Sequence, residues 1–115
     1  MAHFRNNYHF ARTLHLSPEM TETLERIEGN YQQQVNHTQN ILNNVADAGR
    51  PELAAMAFND GSYTRTALMM IEAYLNCECR EGAAAIRDEL HALTREFPDI
   101  PILWEAAQEA DKRLG

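Results

Sequence analysis

Two cysteines and five histidines are the residues of this chain best suited to holding a metal ion or activating a nucleophile. Cys77-Glu78-Cys79 offers two thiols, which as thiolates bind zinc. On a helix, however, these two positions point about 200° apart and cannot close on one ion as local chelators, so they are expected to be structural thiols. His3, His9 and His15 share one side of a strand but not of a helix, which makes any metal site there conditional on an extended N-terminal segment. Asp88 and His91 are one helical turn apart and are expected to pair, as many residues on solvated helices do. There is no Gly-rich phosphate loop, no nucleophile elbow and no His-Glu-x-x-His zinc helix. The expectation is therefore a protein that is not an enzyme, with no catalytic residues, no metal and no cofactor.

The chain of 115 residues is one domain's worth, long enough to bury about 65% of its unfolded surface. No apolar run approaches the roughly 20 residues that span a bilayer, and the opening MAHFRNNYHFARTLHL lacks the apolar centre of a secretory signal. Cys77 and Cys79 are too close in sequence to close a stabilising loop. These features predict a cytoplasmic protein with reduced thiols and no membrane partner.

Charge is unevenly spread. The net charge of −7 falls mostly on residues 51–115, which carry six basic residues against twelve acids, whereas residues 1–50 carry four Arg against five acids. The first eighteen residues contain Arg5, Arg12 and three histidines with no acid. An acidic C-terminal half repels nucleic acid, so a nucleic-acid footprint is confined to the N-terminal arm.

The elements that must position these groups read as helices. Ser17 can cap, Pro18 suits a first turn, and Glu19 and Glu22 sit where the helix dipole favours negative charge. Met20, Leu24, Ile27, Tyr31, Val35, Thr38, Leu42 and Val45 then recur at spacings of three and four, until Gly49 and Pro51 stop the pattern. Gly29-Asn30 is where the span would divide, but the stripe keeps its phase through it, which favours one long helix over two. Further helices are expected over Pro51 to Phe58, over about Tyr63 to Arg80 with Ala67, Met70, Ile71, Tyr74 and Leu75 inward, and after Gly82 with Ile86, Leu90, Leu93 and Phe97 inward. FPDIP then breaks the chain before a last helix with Leu103, Ala107, Ala110 and Leu114 on one face. Phe97, Trp104, Met69, Met70 and Tyr74 could form an adaptable surface, but core packing accounts for all except Met69, which lies beside its stripe.

The expected fold class is all-α: a small antiparallel bundle of four to five helices in one domain. It comprises an N-terminal arm (1–16), a long Asn/Gln-rich helix (17–48) and acidic helical hairpins (51–114). The Pro98 to Trp104 distance fits a tetratricopeptide repeat, but Ala107-Gln108 replaces its Leu-Gly, and one partial match is not a repeat. The arm fits two templates, with Tyr8, Phe10, Leu14 and Leu16 on one face of a strand, or Phe4, Tyr8, Ala11 and Leu14 on one face of a helix. A strand here would need a partner from another molecule.

TLHLSPEMTETLERI, residues 13–27, resembles the strand and first helix of the ribbon-helix-helix DNA-binding proteins. In that family two copies of the strand pair into a ribbon that lies in the major groove. The resemblance implies Leu14 and Leu16 buried, Ala11, Thr13 and His15 facing bases, and Leu24 and Ile27 in a dimer core. Arg12, Thr13 and His15 would then be the DNA contacts, and YQQQVNHTQNIL, residues 31–42, the second helix. It covers about a third of the chain, and the glycine turn comes about two residues early, with Val35 where a serine usually opens the second helix.

GNYQQQVNHTQNILNNVA, residues 29–46, contains no charged residue and nine Asn and Gln. These amides lower helix propensity, but they can hydrogen-bond across a helix interface without the desolvation cost of a buried charge. A face covered by a second copy or another protein is one reading, with Tyr31, Gln34, Val35, Thr38 and Leu42 at the contact; a neutral solvated surface is the other. The function expected is a non-catalytic protein-interaction module, of adaptor, chaperone or inhibitor type, that self-associates through this helix and presents Glu105, Glu109 and Asp111 to a protein partner. The alternative is a dimeric ribbon-helix-helix-like regulator or antitoxin that contacts DNA with its arm.

Overall fold

Helix α1 starts where the sequence places a cap. Ser17 is in extended conformation, its Oγ accepts a hydrogen bond from the Met20 N–H at 3.3 Å, and Pro18 opens the first turn. The computed structural model describes residues 16–115, and α1 occupies Pro18–Ala48 without a break at Gly29. At 1.5 Å per residue its 31 residues extend about 46 Å, close to the 47 Å long axis of the molecule. It ends in a Schellman motif: Gly49 has φ 66°, its N–H donates to the Ala46 carbonyl, and the Arg50 N–H donates back to the Val45 carbonyl.

The helix expected over Pro51 to Phe58 is present as a 3-10 helix, Pro51–Ala57, that packs against α1. A seven-residue stretch with a first-turn Pro has few i→i+4 bonds to gain, so the tighter i→i+3 pattern competes well. Phe58 closes it, and the turn that follows is held by Asp60, whose Oδ1 accepts the Ser62 N–H at 2.9 Å while Gly61 takes φ 73°.

Helix α2 (Ser62–Asn76), helix α3 (Arg80–Glu96) and helix α4 (Pro101–Leu114) complete the described fold. The break between α2 and α3 comes earlier than the sequence suggests. Residues 77–79 form a second Schellman turn, with Glu78 at φ 59°, its N–H bonded to the Leu75 carbonyl, and the Cys79 N–H bonded to the Tyr74 carbonyl at 2.8 Å. Gly82, expected to divide the helices, lies inside α3. Its bareness serves packing, since a Cβ there would sit 2.8 Å from Cδ2 of the Tyr74 ring.

Helix α2 is the centre of the bundle, packing against α1, α3 and α4. It runs antiparallel to α1, with Tyr74 Oη donating to Glu28 at one end and Asp60 close enough to feel the charge of His37 at the other. Phe58 against Phe97 and Tyr74 against Gly82 fix α3 antiparallel to the 58–76 segment. Helix α4 returns beside α3, tied by the Arg80 guanidinium on the Leu114 carbonyl. It therefore runs parallel to α2, with Ile102 near Gly61 and Arg113 bonded to the Leu68 carbonyl and to Glu72 at 3.2 Å.

The core follows the expected stripes. Leu24, Val35, Met70, Ile71, Ile86, Leu90, Leu93, Leu103 and Leu114 are buried, each contributing about 1.5–3 kcal/mol for a large side chain. An aromatic row of Tyr31, Tyr63, Phe58 and Phe97, with ring centroids 5.9, 5.8 and 5.8 Å apart, stitches α1 to the α2 entry and to the end of α3. Met20, at the start of the α1 stripe, is exposed.

Candidate interaction groove

Tyr31, Val35, Thr38 and Leu42, placed by sequence at a contact with another chain, are buried in this chain's own core, Tyr31 at 0% exposure. Their stripe is met by α2 and the 3-10 segment, so it offers nothing to a second copy. Gln34 is half-buried at the margin of that stripe. The outer face of α1 carries Asn30, Gln33, Asn36, Asn40, Asn43 and Asn44, all exposed. Some of these amides satisfy each other: the Gln32 side-chain amide donates to Asn36 Oδ1 at 3.1 Å and that of Gln39 to Asn43 Oδ1 at 2.9 Å, one turn apart. Such pairs contribute about 0.2–0.5 kcal/mol each, which offsets part of the poor helix propensity of Asn.

The three acidic residues assigned to a partner surface divide between two faces of α4. Glu105 and Glu109, spaced by four, line a groove between α2 and α4 together with Asp60, Gly61, Thr64, Arg65, Leu68, Ile102 and Ala106. Asp111 lies on the other side, where both its oxygens meet His91 Nε2 of α3 at 2.9 and 3.0 Å. His91 was expected to pair with Asp88, but Asp88 is taken by its neighbour Arg87 at 3.1 Å. The local i+3 partner loses because α4 brings a carboxylate directly onto the imidazole.

The groove holds about 540 Å³ and exists because α2 and α4 are parallel neighbours joined at their far ends by Arg113. Leu68, Ile102 and Ala106 make its apolar part and Asp60, Glu105 and Glu109 its acidic part. Glu109 is held by Arg113 at 3.2 Å, an i,i+4 pair, whereas Glu105 is exposed and makes no ion pair among the described residues. The Ser62 backbone and side chain hydrogen-bond to Asp60 and hold its carboxyl below the usual carboxylate range, aided by the charges of His37 and Arg65. Three acids against the single Arg65 give the groove an excess of acidic side chains. That Glu105 and Glu109 share a helix face was readable from their spacing; that Asp60 joins them needed the parallel register of α2 and α4.

The other candidate chemistry is dispersed. Cys77 and Cys79 are free thiols in the turn, not on a helix, the first half-exposed and the second buried. Burial, with Cys79 nearby, pushes the Cys77 thiol up from its ordinary value, so it is a poor nucleophile. Trp104, 44% exposed, is turned back on the FPDIP break, with its indole N–H donating to the Pro98 carbonyl at 2.9 Å. Met70 and Tyr74 are core residues, Phe97 is half-buried and Met69 is exposed, as its place beside the stripe implied. Among the described residues no three His, Cys, Asp or Glu side chains gather as a metal site, and no helix is long and apolar enough to cross a membrane.

Arg12, Thr13 and His15, the candidate DNA contacts, lie outside the described residues, as do Ala11, Leu14, His3 and His9. The part of the ribbon-helix-helix resemblance that falls on described residues takes another form. That fold needs a turn between residues 27 and 35, and here α1 is continuous, with Leu24 buried against this chain's own elements. No known family model matches the chain, no curated protein aligns with it significantly, and no solved structure is significantly similar to its fold.

Proposed function

We propose that this protein is a non-catalytic interaction module that receives a basic amphipathic segment of a partner protein in the groove between α2 and α4. The observation that carries this reading is the joining of Leu68, Ile102 and Ala106 with the carboxylates of Asp60, Glu105 and Glu109 in one open groove. Apolar side chains of a partner helix can fill the hydrophobic part, while its Lys or Arg residues meet the acids at the edge. Negative potential steers a cationic partner and rejects nucleic acid, so the preference extends to association rate as well as affinity. Adaptor, chaperone and inhibitor roles all use such a groove, the last by presenting acids to a basic surface on a target.

The test is affinity capture from the native cell extract with matched variants. Glu105→Lys combined with Glu109→Gln should lose the captured partner, and Leu68→Asp should lose it as well. Asp111→Asn should retain it, because that carboxylate faces His91 and not the groove. A partner captured equally by all the variants would place its binding elsewhere and end this reading.

A further inference from the structure

On a helix Cys77 and Cys79 would point about 200° apart, but the chain leaves the α-helix where they stand. Cys77 is the C-cap of α2, with φ −94° and ψ 11°, and Cys79 is the residue before α3, with φ −103° and ψ 73°. Glu78 between them takes the left-handed φ of 59°. Two backbone bonds fix this turn: the Glu78 N–H donates to the Leu75 carbonyl at 3.1 Å, and the Cys79 N–H donates to the Tyr74 carbonyl at 2.8 Å. Left-handed backbone has the mirror-image curvature of an α-helix, in which Cα atoms two residues apart are about 5.4 Å from each other. The Cα atoms flanking Glu78 therefore stand inside the range of roughly 4.4–6.8 Å that a disulfide requires.

The side chains meet the same condition. Cys79 is 7% exposed and belongs to the core, and Cys77 is half-buried and packs against that core. Both thiols thus face the interior of the α2/α3 turn. Burial pushes the Cys77 thiol up from its ordinary value and Cys79 adds to the rise, so the two sulfurs are near enough for charge on one to oppose ionisation of the other.

We propose that Cys77 and Cys79 form a redox-active dithiol, which a small disulfide of the glutathione class converts to a disulfide within the turn. Cys77, the more accessible thiol, is the point of entry. Its thiolate attacks one sulfur of glutathione disulfide, a mixed disulfide forms, and the first glutathione leaves as a thiolate that takes up a proton. The Cys79 thiolate then attacks Cys77 Sγ, closing the Cys77–Cys79 bond and expelling the second glutathione, which is protonated in turn. The cysteines give up two electrons and two protons, and one glutathione disulfide becomes two glutathione thiols. The raised Cys77 thiol makes entry slow, and the neighbouring Cys79 makes the mixed disulfide short-lived. Because the bridge encloses only three residues, it constrains the unfolded chain little, which suits a reversible modification better than a structural staple. Excess reduced glutathione runs both steps backwards.

The test equilibrates the full chain in glutathione buffers of increasing oxidising ratio, alkylates remaining thiols with N-ethylmaleimide, and weighs the tryptic peptide of residues 66–80, which holds both cysteines. The expected product is two hydrogens lighter and carries neither maleimide nor glutathione. A free peptide of residues 66–80, without α3 or the core to hold the turn, should need a buffer about ten-fold more oxidising to reach the same extent. Cys79→Ala should stop at a glutathionyl adduct on Cys77, and Cys77→Ala should react about ten-fold more slowly than wild type, since Cys79 is buried. Should either variant fail to fold, the comparison of the wild-type chain with the free peptide decides alone. A wild-type chain that ends only as glutathionyl adducts, that links two copies through these cysteines, or that closes the bond no more readily than the free peptide would overturn the proposal.

Discussion

The Tyr74 ring fills the space beside Gly82 that a side chain would need: a Cβ at position 82 would fall 2.8, 2.9 and 3.0 Å from ring atoms Cδ2, Cγ and Cε2. Tyr74 is fully buried and its hydroxyl is held by Glu28, so the ring has no room to swing aside. Gly82→Ala should therefore destabilise the protein by about 1–3 kcal/mol, the cost of overpacking a well-filled site, although Ala is the better helix former. Urea unfolding midpoints measure this, and a neutral result would mean that α3 shifts freely against α2.

Gly29 gives the opposite expectation. It lies in the interior of α1, and a Cβ there would meet nothing within 4 Å. With no clash to offset the gain in helix propensity, Gly29→Ala should stabilise by about 1 kcal/mol. Thermal unfolding should show a rise of several degrees, on the order of 4–8 °C per kcal/mol for a chain this small. An unchanged or lower midpoint would mean that Gly29 has a role in α1 beyond lacking a side chain.

Glu78 occupies the left-handed position of the turn after α2, where a residue with a Cβ is strained by about 1–2 kcal/mol. Glu78→Gly should raise stability by about 1 kcal/mol, after the extra entropy of the unfolded Gly is counted. Glu78→Ala should not, because it keeps the Cβ. Equal gains from both substitutions would point to the charge of Glu78, not its backbone, as the source.

Asp60 makes stability depend on acid. Its folded carboxyl titrates lower than in the unfolded chain, so its contribution is fully present above the ordinary value near 3.8 and is lost as pH falls through the lowered folded value. Asp60→Asn keeps an acceptor for the Ser62 N–H but cannot titrate. The variant should lose less stability than wild type between about pH 5 and pH 2, read from denaturant midpoints at each pH. Parallel curves for the two proteins would show that Asp60 titrates alike folded and unfolded.

Helix existence was legible because the apolar stripes carry it: Leu24 to Val45, Ala67 to Tyr74, Ile86 to Leu93 and Leu103 to Leu114 all lie inward. The glycines were less reliable guides. At Gly49 the left-handed turn and the residue coincide, but the next such turn is made by Glu78, while Gly82 is spent on a close ring approach inside a helix. A sequence reader who takes glycine as a stop therefore misplaces that boundary by several residues. The Asn/Gln stretch was read through composition, and its Tyr31, Val35, Leu42 and Val45 proved to be core while many of its amides face solvent. The acidic surface was legible only in part, because His91 takes Asp111 away from Glu105 and Glu109, and an imidazole twenty positions distant gives no local sign of that.

The central position of α2 has a mechanical consequence. Among the described elements, α1 lies on one side of α2 and α4 on another, and α2 is the helix that packs against both. A displacement produced at the Glu105 groove, which α2 itself lines, has in the body of α2 a direct route to α1. As the element in contact with the helices on both sides, α2 works as a shaft between the groove face and the α1 face.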